Sequence, residues 1–347
     1  MNETTALRIA QVAPMVFPVP PETHGGTERV IHDLSEALVA LGHEVTLFAA
    51  AESRTSANLI ASGPSLASIT GETEIPGTLG VLEAANLAAA AERADEFDVI
   101  HCHTDAGHAA ALRSVLERTL TTIHWRTDQQ DRQLLFKLFP ALPVSAISRA
   151  QASSIPDANC RGVVHHGIPA DRYAAGPGGT GVAFVGRMTD QKQPDAAIRI
   201  ARAAGRPIRL AGTVDVGNPG YFDDRVKPLL GADAAYLGPL RDPAKAALLG
   251  TSCALLFPIA WPEPFGLVMI EAFACGTPVI AFRRGSVPEI VEDGVTGFIV
   301  ETEAEAAEAL GRIDTLDRTL IRRRFEERFS ARRMAEDYIA LYRRLAA

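Results

Sequence analysis

Short apolar runs alternate with helical periods along almost the whole chain. LRIAQVA (7–13) precedes a proline-rich loop, a helical period over 27–42 and the apolar run HEVTLFAA. The same order of run and helix continues from VAFVG (182–186) to GFIV (297–300). Parallel strands need a long crossover, usually a helix, between them. The alternation therefore predicts an α/β fold with doubly wound parallel sheets.

The chain is long enough for two domains. It has 347 residues, and its densest glycine segment, AAGPGGTG (174–181), resists both helix and strand. We place the linker there and expect an N-terminal domain over 1–170 and a C-terminal domain over 171–329. A final helix at about 330–347 is expected to pack back on the first domain. The stretch 52–80 has no clear period and is predicted to be irregular.

Charge and cysteine content exclude several classes of protein. The net charge of −8 argues against a general affinity for nucleic acids or anionic membranes. Four cysteines lie far apart with no CxxC pair, so neither a disulfide framework nor a zinc ribbon is expected. The sequence shows neither a signal peptide nor a membrane span, and we expect a cytoplasmic location. A homodimer is left open.

The stretch PEPFGLVMIEAFACGTPVIA (262–281) contains the strongest candidate for a binding site. Glu271 lies in an apolar helical run, where a carboxylate is costly to bury unless it is hydrogen-bonded. Gly266, after Pro264 and Phe265, would let the backbone approach an anion at the start of that helix. The stretch therefore predicts a ligand site with a phosphate at the helix start.

Two cations follow the strand-like run VAFVG. Arg187 comes directly after it and Lys192 five residues later, a pair suited to a diphosphate or, alternatively, to a solvated surface loop. Together with the helix start near Gly266 they form two half-sites for phosphate in one domain. A nucleoside diphosphate is the ligand that fits both.

The motifs GRMTDQK, YLGPL, PEPFGLVMIEAFACGTPVIA and GSVPEIVEDGVTGFIV together resemble the C-terminal half of glycosyltransferase family 4. VPPETHGGTERVIHDLSEALVALGHEVTLFAA is similar to the N-terminal signature of that family, and especially to a subgroup named for the glucosylation of pterins. The resemblance implies the GT-B fold, in which two Rossmann-like domains face each other across a cleft. It also implies transfer of a hexose, with retention, from a nucleotide sugar such as UDP-glucose.

The resemblance assigns roles to residues of this chain. Glu271 is expected to bind the donor ribose and Glu263 the transferred sugar. Arg187 and Lys192 would neutralise the leaving diphosphate, so that no metal or other cofactor is expected. His124, at the end of LTTIH, matches a position that contacts the donor sugar, with a core histidine as the alternative. Backbone N–H groups near the phosphates and the sugar are expected from Gly25, Gly26, Phe265, Gly266, Leu267 and Val268.

Several other residues have two alternative roles. His101 and His103 are two residues apart on a strand and face the same side; no third ligand is spaced to make them a metal site. His103 is either on the acceptor side or structural, and His166 is expected to shape the turn between the domains. Trp125 and Trp261 either stack on an acceptor or belong to the core.

Two positions depart from the family pattern. Gln193 and Ser286 stand where glycine is usual, which affects local geometry more than charge. The acceptor, a small molecule or a glycan, is expected in the loops 14–24 and 52–80. A nucleotide-sugar epimerase, a glycosyl phosphorylase and a sugar-binding protein without catalysis are the alternatives.

Overall fold

The chain forms two compact units in a computed structural model that describes residues 6–22, 25–70 and 77–346. One unit contains residues up to 167 together with those from 331 onward, and the other contains 168–330. No helix in the described ranges is both long and apolar enough to span a membrane.

The glycine-rich segment 174–181 lies inside the second unit, so our placement of the linker there is wrong. Its glycines serve close packing instead of flexibility. A Cβ atom on Gly176 would lie 2.3 Å from the Cα atom of Gly250, and one on Gly179 would lie 2.2 Å from the carbonyl oxygen of Thr251. Backbone meets backbone at these positions, which only glycine allows.

The sheet of the first unit has seven parallel strands. They are β1 (Arg8–Val12), β2 (Glu44–Ala49), β3 (Asn58–Ala61), β4 (Val99–Cys102), β5 (Thr119–Thr122), β6 (Pro143–Ala146) and β7 (Asn159–Val163). Their spatial order is β3-β2-β1-β4-β5-β6-β7. The order reverses between β1 and β4, the switch point at which such sheets bind ligands.

The helices of the first unit cover both faces of this sheet, and one short helix among them was not expected from the sequence. They are α1 (Gly26–Ala40), α2 (Leu66–Thr70), α3 (Thr78–Glu92), α4 (His108–Ala111), α5 (Gln130–Leu138) and α6 (Arg149–Ser153). The prediction that 52–80 is irregular is wrong for β3 and α2. Strand β3 is an edge strand without a fully buried residue, so it shows no apolar pattern.

The second unit contains a six-stranded parallel sheet in the order β10-β9-β8-β11-β12-β13. The strands are β8 (Val182–Val185), β9 (Ile208–Ala211), β10 (Ala234–Tyr236), β11 (Ala254–Phe257), β12 (Val279–Phe282) and β13 (Gly297–Val300). Here the switch point lies between β8 and β11. The two sheets confirm the predicted α/β class with Rossmann-like, doubly wound parallel sheets.

Seven helices of the second unit surround its sheet in the described residues. They are α7 (Pro194–Ala203), α8 (Pro219–Tyr221), α9 (Asp242–Gly250), α10 (Leu267–Ala274), α11 (Val287–Ile290), α12 (Glu303–Gly311) and α13 (Arg318–Phe329). Between α8 and α9 the chain forms a π turn, Phe222–Val226, and a 3₁₀ turn, Lys227–Leu229. Pro228 has no N–H group to continue a regular α-helix there.

The last helix, α14 (Ala331–Ala346), belongs to the first unit, as the sequence predicted. It packs against α1 and β4 and buries Met334, Tyr338 and Tyr342. The two tyrosine hydroxyls reach polar side chains of the sheet, which the next subsection describes. Arg333 donates hydrogen bonds to the carbonyl oxygens of His165 and His166 and holds that segment against the helix.

Candidate active site

At the switch point of the second sheet, the loop that carries the two cations lies next to the loop that carries Glu263. β8 and β11 are adjacent, so the loops that follow them, 186–193 and 258–266, lie at the same edge of the sheet. The N–H group of Ala260 donates to the carbonyl oxygen of Gln191 at 2.9 Å and joins the two loops directly. Sequence positions about seventy residues apart thus become one site.

Lys192 and Glu263 form the centre of this site. The ammonium nitrogen of Lys192 lies 2.5 Å from Oε2 of Glu263, and the indole N–H of Trp261 donates to the same oxygen at 2.6 Å. Both charged side chains are largely buried. The ammonium group also lies 5.1 Å from the ring centre of Trp261. Glu263 is therefore held in a fixed orientation by two donors, and Lys192 keeps further N–H donors available.

Trp261 contributes more than the stacking or core packing that the sequence suggested. Its indole nitrogen positions the Glu263 carboxylate, while the ring is only partly buried. A tryptophan two residues before an acidic residue is the sequence signal for this contact, because an indole N–H usually finds an acceptor when it is buried.

The turn before α10 is shaped by two neighbouring residues. Gly266 is the N-cap residue with φ 83°, a left-handed conformation that favours glycine. A Cβ atom on Gly285 would lie 2.3 Å from the carbonyl oxygen of Glu263, so the backbones touch here as well. Ser286 donates its hydroxyl hydrogen to the carbonyl oxygen of Phe265 at 2.9 Å. The serine that replaces the family's glycine thus braces the turn.

The start of α10 is available to an anion. Gly266, Leu267 and Val268 are partly exposed, and the first N–H groups of a helix have no intrahelical acceptor. The positive end of the helix dipole adds to their attraction for negative charge. Lys192 lies on the same loop pair, so a cation and a helix start are available to one ligand.

Arg187 extends from the same loop toward solvent. Its guanidinium donates to Asp215 at 3.1 Å, and about half of the side chain is exposed. An exposed pair of this kind contributes little to stability. Arg187 can therefore exchange Asp215 for a phosphate at small cost.

Glu271 is buried, but the protein itself supplies hydrogen-bond donors for it. Lys245 donates to its Oε1 at 2.6 Å and the Tyr173 hydroxyl at 3.2 Å. Asp242 also contacts both residues, at 3.3 Å from Lys245 and 3.0 Å from the Tyr173 hydroxyl, whose single hydrogen is shared between the two carboxylates. Burial and the two carboxylates raise the pKa of Tyr173 far above its usual value. The carboxylate that the sequence singled out is thus the centre of a four-residue cluster.

Lys245 and Tyr173 are the site residues that sequence reasoning missed. Lys245 lies in the apolar pattern of α9, and a lone lysine there is a weak signal until its partner is known. Tyr173 follows the boundary between the units and has no pattern that predicts its contact. Neither residue belongs to one of the sequence motifs described above.

Gly25 and Gly26 lie at the start of α1, after the first strand of the N-terminal sheet. Gly25 has φ 133°, and a Cβ atom there would lie 2.9 Å from Oε2 of Glu28. Glu28 is buried, and burial raises the pKa of its carboxyl to about 7. Thr23 and His24, which end the predicted acceptor loop 14–24, lie outside the described residues, as does the segment 71–76 of the second loop.

The histidines of the first sheet form a hydrogen-bonded cluster. His101 and His103 face the same side of β4, as predicted, with ring centres 4.0 Å apart. Nδ1 of His103 lies 2.9 Å from Nε2 of His124, and Nε2 of His103 lies 2.7 Å from Oε1 of Gln11. The ring of His166 stacks on His124 at 5.2 Å.

His124 lies beyond β5, which ends at Thr122, and not at the last strand position as the sequence suggested. Its Nδ1 atom is buried and has no hydrogen-bond partner among the described residues. Burial lowers the pKa of His124 to about 3, and burial together with His101 and His124 lowers the pKa of His103 well below its usual value. The rings are therefore neutral near pH 7.

Trp125 follows His124 and is mostly exposed, with 57% of its surface accessible. Its carbonyl oxygen accepts a hydrogen bond from Gln151, which also donates to Ile123. The backbone on both sides of His124 is thus fixed, while the indole ring of Trp125 is exposed. Within the described ranges, no group of three or more His, Cys, Asp and Glu side chains is arranged to hold a metal ion.

The two Rossmann-like, doubly wound sheets are those of the GT-B fold. Residues 24–179 match the family model described as Glycosyltransferase Family 4, and residues 175–329 match the one described as Glycosyl transferases group 1. The two matches cover most of the chain. The protein belongs to the GT-B glycosyltransferases that carry these two domains.

Curated relatives agree with this family. D-inositol 3-phosphate glycosyltransferase of Mycobacterium leprae is 32% identical in an alignment of 207 positions that covers 54% of this chain and 45% of that protein. Alpha-maltose-1-phosphate synthase of Mycobacterium tuberculosis is 27% identical over 267 residues, 62% of this chain and 67% of that protein. The chain thus spans about half the length of the first of these relatives and two thirds of the second.

Solved structures share the fold over nearly the full chain. Sucrose-phosphate synthase from Thermosynechococcus elongatus has a TM-score of 0.76 at 20% identity and covers 98% of this chain and 99% of its own. Anabaena HepE in complex with UDP-glucose has a TM-score of 0.69 at 19% identity, with 96% of this chain and 98% of its own covered. At such identities the likeness concerns the fold alone.

Proposed function

We propose that this protein is a hexosyltransferase that moves a hexose from a UDP-sugar to a small-molecule or glycan acceptor, with retention and without a metal. The observation that carries the proposal is the Lys192–Glu263 pair beside the exposed start of α10, at the switch point of the second sheet. The glycosyltransferase relatives support it, and so does the neighbour in complex with UDP-glucose. These relatives disfavour the epimerase, phosphorylase and binding-protein alternatives.

The proposed reaction balances in atoms and in charge. The bond between the anomeric carbon and the diphosphate oxygen breaks, and the acceptor hydroxyl oxygen forms the new bond on the same face. The hydroxyl proton passes to the departing phosphate oxygen, and the nucleoside diphosphate leaves. Lys192, Arg187 and the N–H groups at the start of α10 stabilise the negative charge that grows on the diphosphate. Glu263, fixed by Trp261, holds sugar hydroxyls.

Glu271 suits the donor ribose. Both protein donors, Lys245 and Tyr173, bond to its Oε1 atom. The other carboxylate oxygen, Oε2, is then the acceptor for a ribose hydroxyl. The ion pair with Lys245 orients the Glu271 carboxylate.

A donor panel tests the proposal first. UDP, UDP-glucose, UDP-N-acetylglucosamine and GDP-mannose are each added in a thermal-shift assay, because a ligand that binds only the folded protein raises its melting temperature. We expect the UDP ligands to stabilise the protein more than GDP-mannose. Stabilisation by free sugars but by none of the nucleotides would contradict a nucleotide-sugar donor.

Turnover tests the role of Lys192 with a matched control. Lys192→Met is expected to lower kcat for hydrolysis or transfer of the UDP-sugar by about 10² to 10³, the usual cost of losing one group that stabilises transition-state charge. Lys227→Met makes the same change on the exposed surface of the same unit, where the side chain pairs only with Asp223, and is expected to leave kcat unchanged. Equal activities of the two variants would refute the assignment.

Stereochemistry, metal use and acceptor are tested in the wild-type protein. We expect the anomeric configuration of the donor in the product and full activity after treatment with EDTA. The acceptor panel begins with reduced pterins, because the sequence resembles the pterin-glucosylating subgroup, and continues with inositol phosphates and short glycans. Inversion, or loss of activity that a divalent cation restores, would overturn the corresponding part of the proposal.

A further inference from the structure

A chain of hydrogen bonds in the first unit ends at the unpartnered Nδ1 atom of His124. It passes from Tyr342 through Gln11 and His103, all of which are buried. Gln11 donates from Nε2 to the Tyr342 hydroxyl at 3.1 Å, and its Oε1 faces Nε2 of His103 at 2.7 Å. None of these three residues carries a role in the proposed chemistry.

The amide of Gln11 determines the direction of every bond that follows. Its oxygen can only accept, so His103 carries its hydrogen on Nε2. Nδ1 of the neutral His103 ring then accepts, and His124 must donate from Nε2. A neutral ring with its hydrogen on Nε2 has a bare lone pair on Nδ1.

The other branch is consistent with the same direction. The Tyr342 hydroxyl accepts from Gln11 and donates to Nδ1 of His101 at 2.7 Å. His101 then donates from Nε2 to the Thr122 hydroxyl at 2.7 Å, and Thr122 is bonded to the Tyr338 hydroxyl at 3.0 Å. Each residue of this branch uses its donor and its acceptor once.

We propose that Gln11 is a positioning residue that acts through His103 to hold His124 with its hydrogen on Nε2, so that Nδ1 accepts a hydrogen bond from a substrate hydroxyl. This inference rests on the proposed function, since it needs a hydroxyl-bearing substrate. A buried polar atom without a partner calls for an explanation, and a ligand hydroxyl supplies the missing hydrogen. The stacked ring of His166 keeps the plane of His124 fixed.

Reversal of the amide would reverse the whole chain. With its NH₂ group toward His103, Gln11 would make Nε2 of His103 an acceptor, and His124 would then carry its hydrogen on Nδ1. Tyr342 is the partner that accepts from the NH₂ group on the other side. Tyr342→Phe removes that partner, and an orphaned buried N–H group is rarer in proteins than an orphaned acceptor. We therefore expect Tyr342→Phe to turn the amide and change the tautomer of His124.

The test compares two identical changes on one helix. The full-length protein is labelled with ¹⁵N in its histidines, and ring nitrogens with and without hydrogen are distinguished by their chemical shifts, with His124→Gln for assignment. In the wild type and in Tyr338→Phe we expect His124 to carry its hydrogen on Nε2. In Tyr342→Phe and in Gln11→Met we expect Nδ1–H or a mixture of the two tautomers. Circular dichroism and thermal melting show that each variant is folded.

Kinetics test the second half of the inference. For UDP-glucose, kcat/KM is expected to fall about three- to tenfold in Tyr342→Phe, the loss of one neutral hydrogen bond, and to stay unchanged in Tyr338→Phe. His124 with its hydrogen on Nδ1 in the wild type, or an unchanged tautomer in both Tyr342→Phe and Gln11→Met, would overturn the relay. A changed tautomer with unchanged kcat/KM would overturn the hydroxyl contact. The tautomer is read without any sugar, so failure of the proposed function is a separate result.

Discussion

Gln193 is the only residue other than glycine with a positive φ among the described residues, and it should be replaceable with a gain in stability. Its backbone has φ 51° and ψ 56°, in the left-handed region, at the N-cap of α7. Its side chain makes no capping hydrogen bond. An L-residue in this conformation costs roughly 1 to 2 kcal/mol. Glycine removes that cost but loses about 0.5 to 1 kcal/mol through the greater freedom of the unfolded chain.

The net effect of Gln193→Gly is therefore a gain centred on about 0.75 kcal/mol in the free energy of unfolding of the second unit, the difference between the midpoints of those two ranges. For a unit of this size the gain corresponds to a rise of about 1 to 4 °C in Tm. Scanning calorimetry of the full-length protein measures it. Gln193→Ala is the matched control, because it removes the side chain and keeps the Cβ atom that causes the strain. If the alanine variant were as stable as the glycine variant, backbone strain at this position would be refuted.

Three further predictions concern titration, donor binding and the turn before α10. All nine histidines lie between residues 24 and 166, and buried ones such as His108, with a pKa lowered by burial to about 4, stay neutral in the folded state. The contribution of such a histidine to the free energy of unfolding is complete above pH 6.5 and falls by up to about 1.4 kcal/mol per pH unit below it. Calorimetry at pH 7.5 and 5.5 should therefore show that the first unit loses stability at the lower pH, while the second unit, which has no histidine, changes little. Glu271→Ala should weaken the binding of UDP-glucose about 10- to 100-fold by titration calorimetry, the loss of a charged hydrogen-bond acceptor, and an unchanged Kd would contradict the ribose contact. Ser286→Ala should cost about 1 kcal/mol in urea unfolding, since the carbonyl oxygen of Phe265 loses its donor; a cost below 0.3 kcal/mol, roughly, would show that the hydroxyl does not brace the turn.

Much of the fold could be predicted from the sequence because buried parallel strands are continuous apolar runs. Segments such as VAFVG and CALLFP are apolar on both faces, and helices on both sides of the sheet require that. Edge strands gave no such signal. β3 and β7 are partly exposed, and β3 was missed for that reason.

The candidate site was predictable where a motif placed charge at the end of a strand. Lys192 and Glu263 are in this class, whereas Glu271 was singled out as a carboxylate inside an apolar helix. Their partners were not, since Lys245 meets Glu271 only through the packing of α9 on α10. The sheet order that makes β8 and β11 neighbours determines the contact between Lys192 and Glu263, and sequence spacing alone does not contain it.

Gln11 shows a signal that could have been used. It is a polar residue in the middle of the apolar strand RIAQV and is completely buried. A buried amide needs partners for both of its ends. The identity of those partners, His103 just after β4 and Tyr342 from the last helix, depends on the tertiary fold.

The first unit is built from two separate segments of the chain, and this has a consequence for its biosynthesis. Residues 168–330 form one uninterrupted unit, whereas the first unit needs α14, which comes after them. During translation, all residues of the second unit are synthesised before the first unit receives its last helix. Until Tyr338 and Tyr342 emerge, the nascent β4 and β5 display His101 and Thr122 to water, without the hydroxyl partners of the finished protein. The first half to be translated is thus the last to close its core.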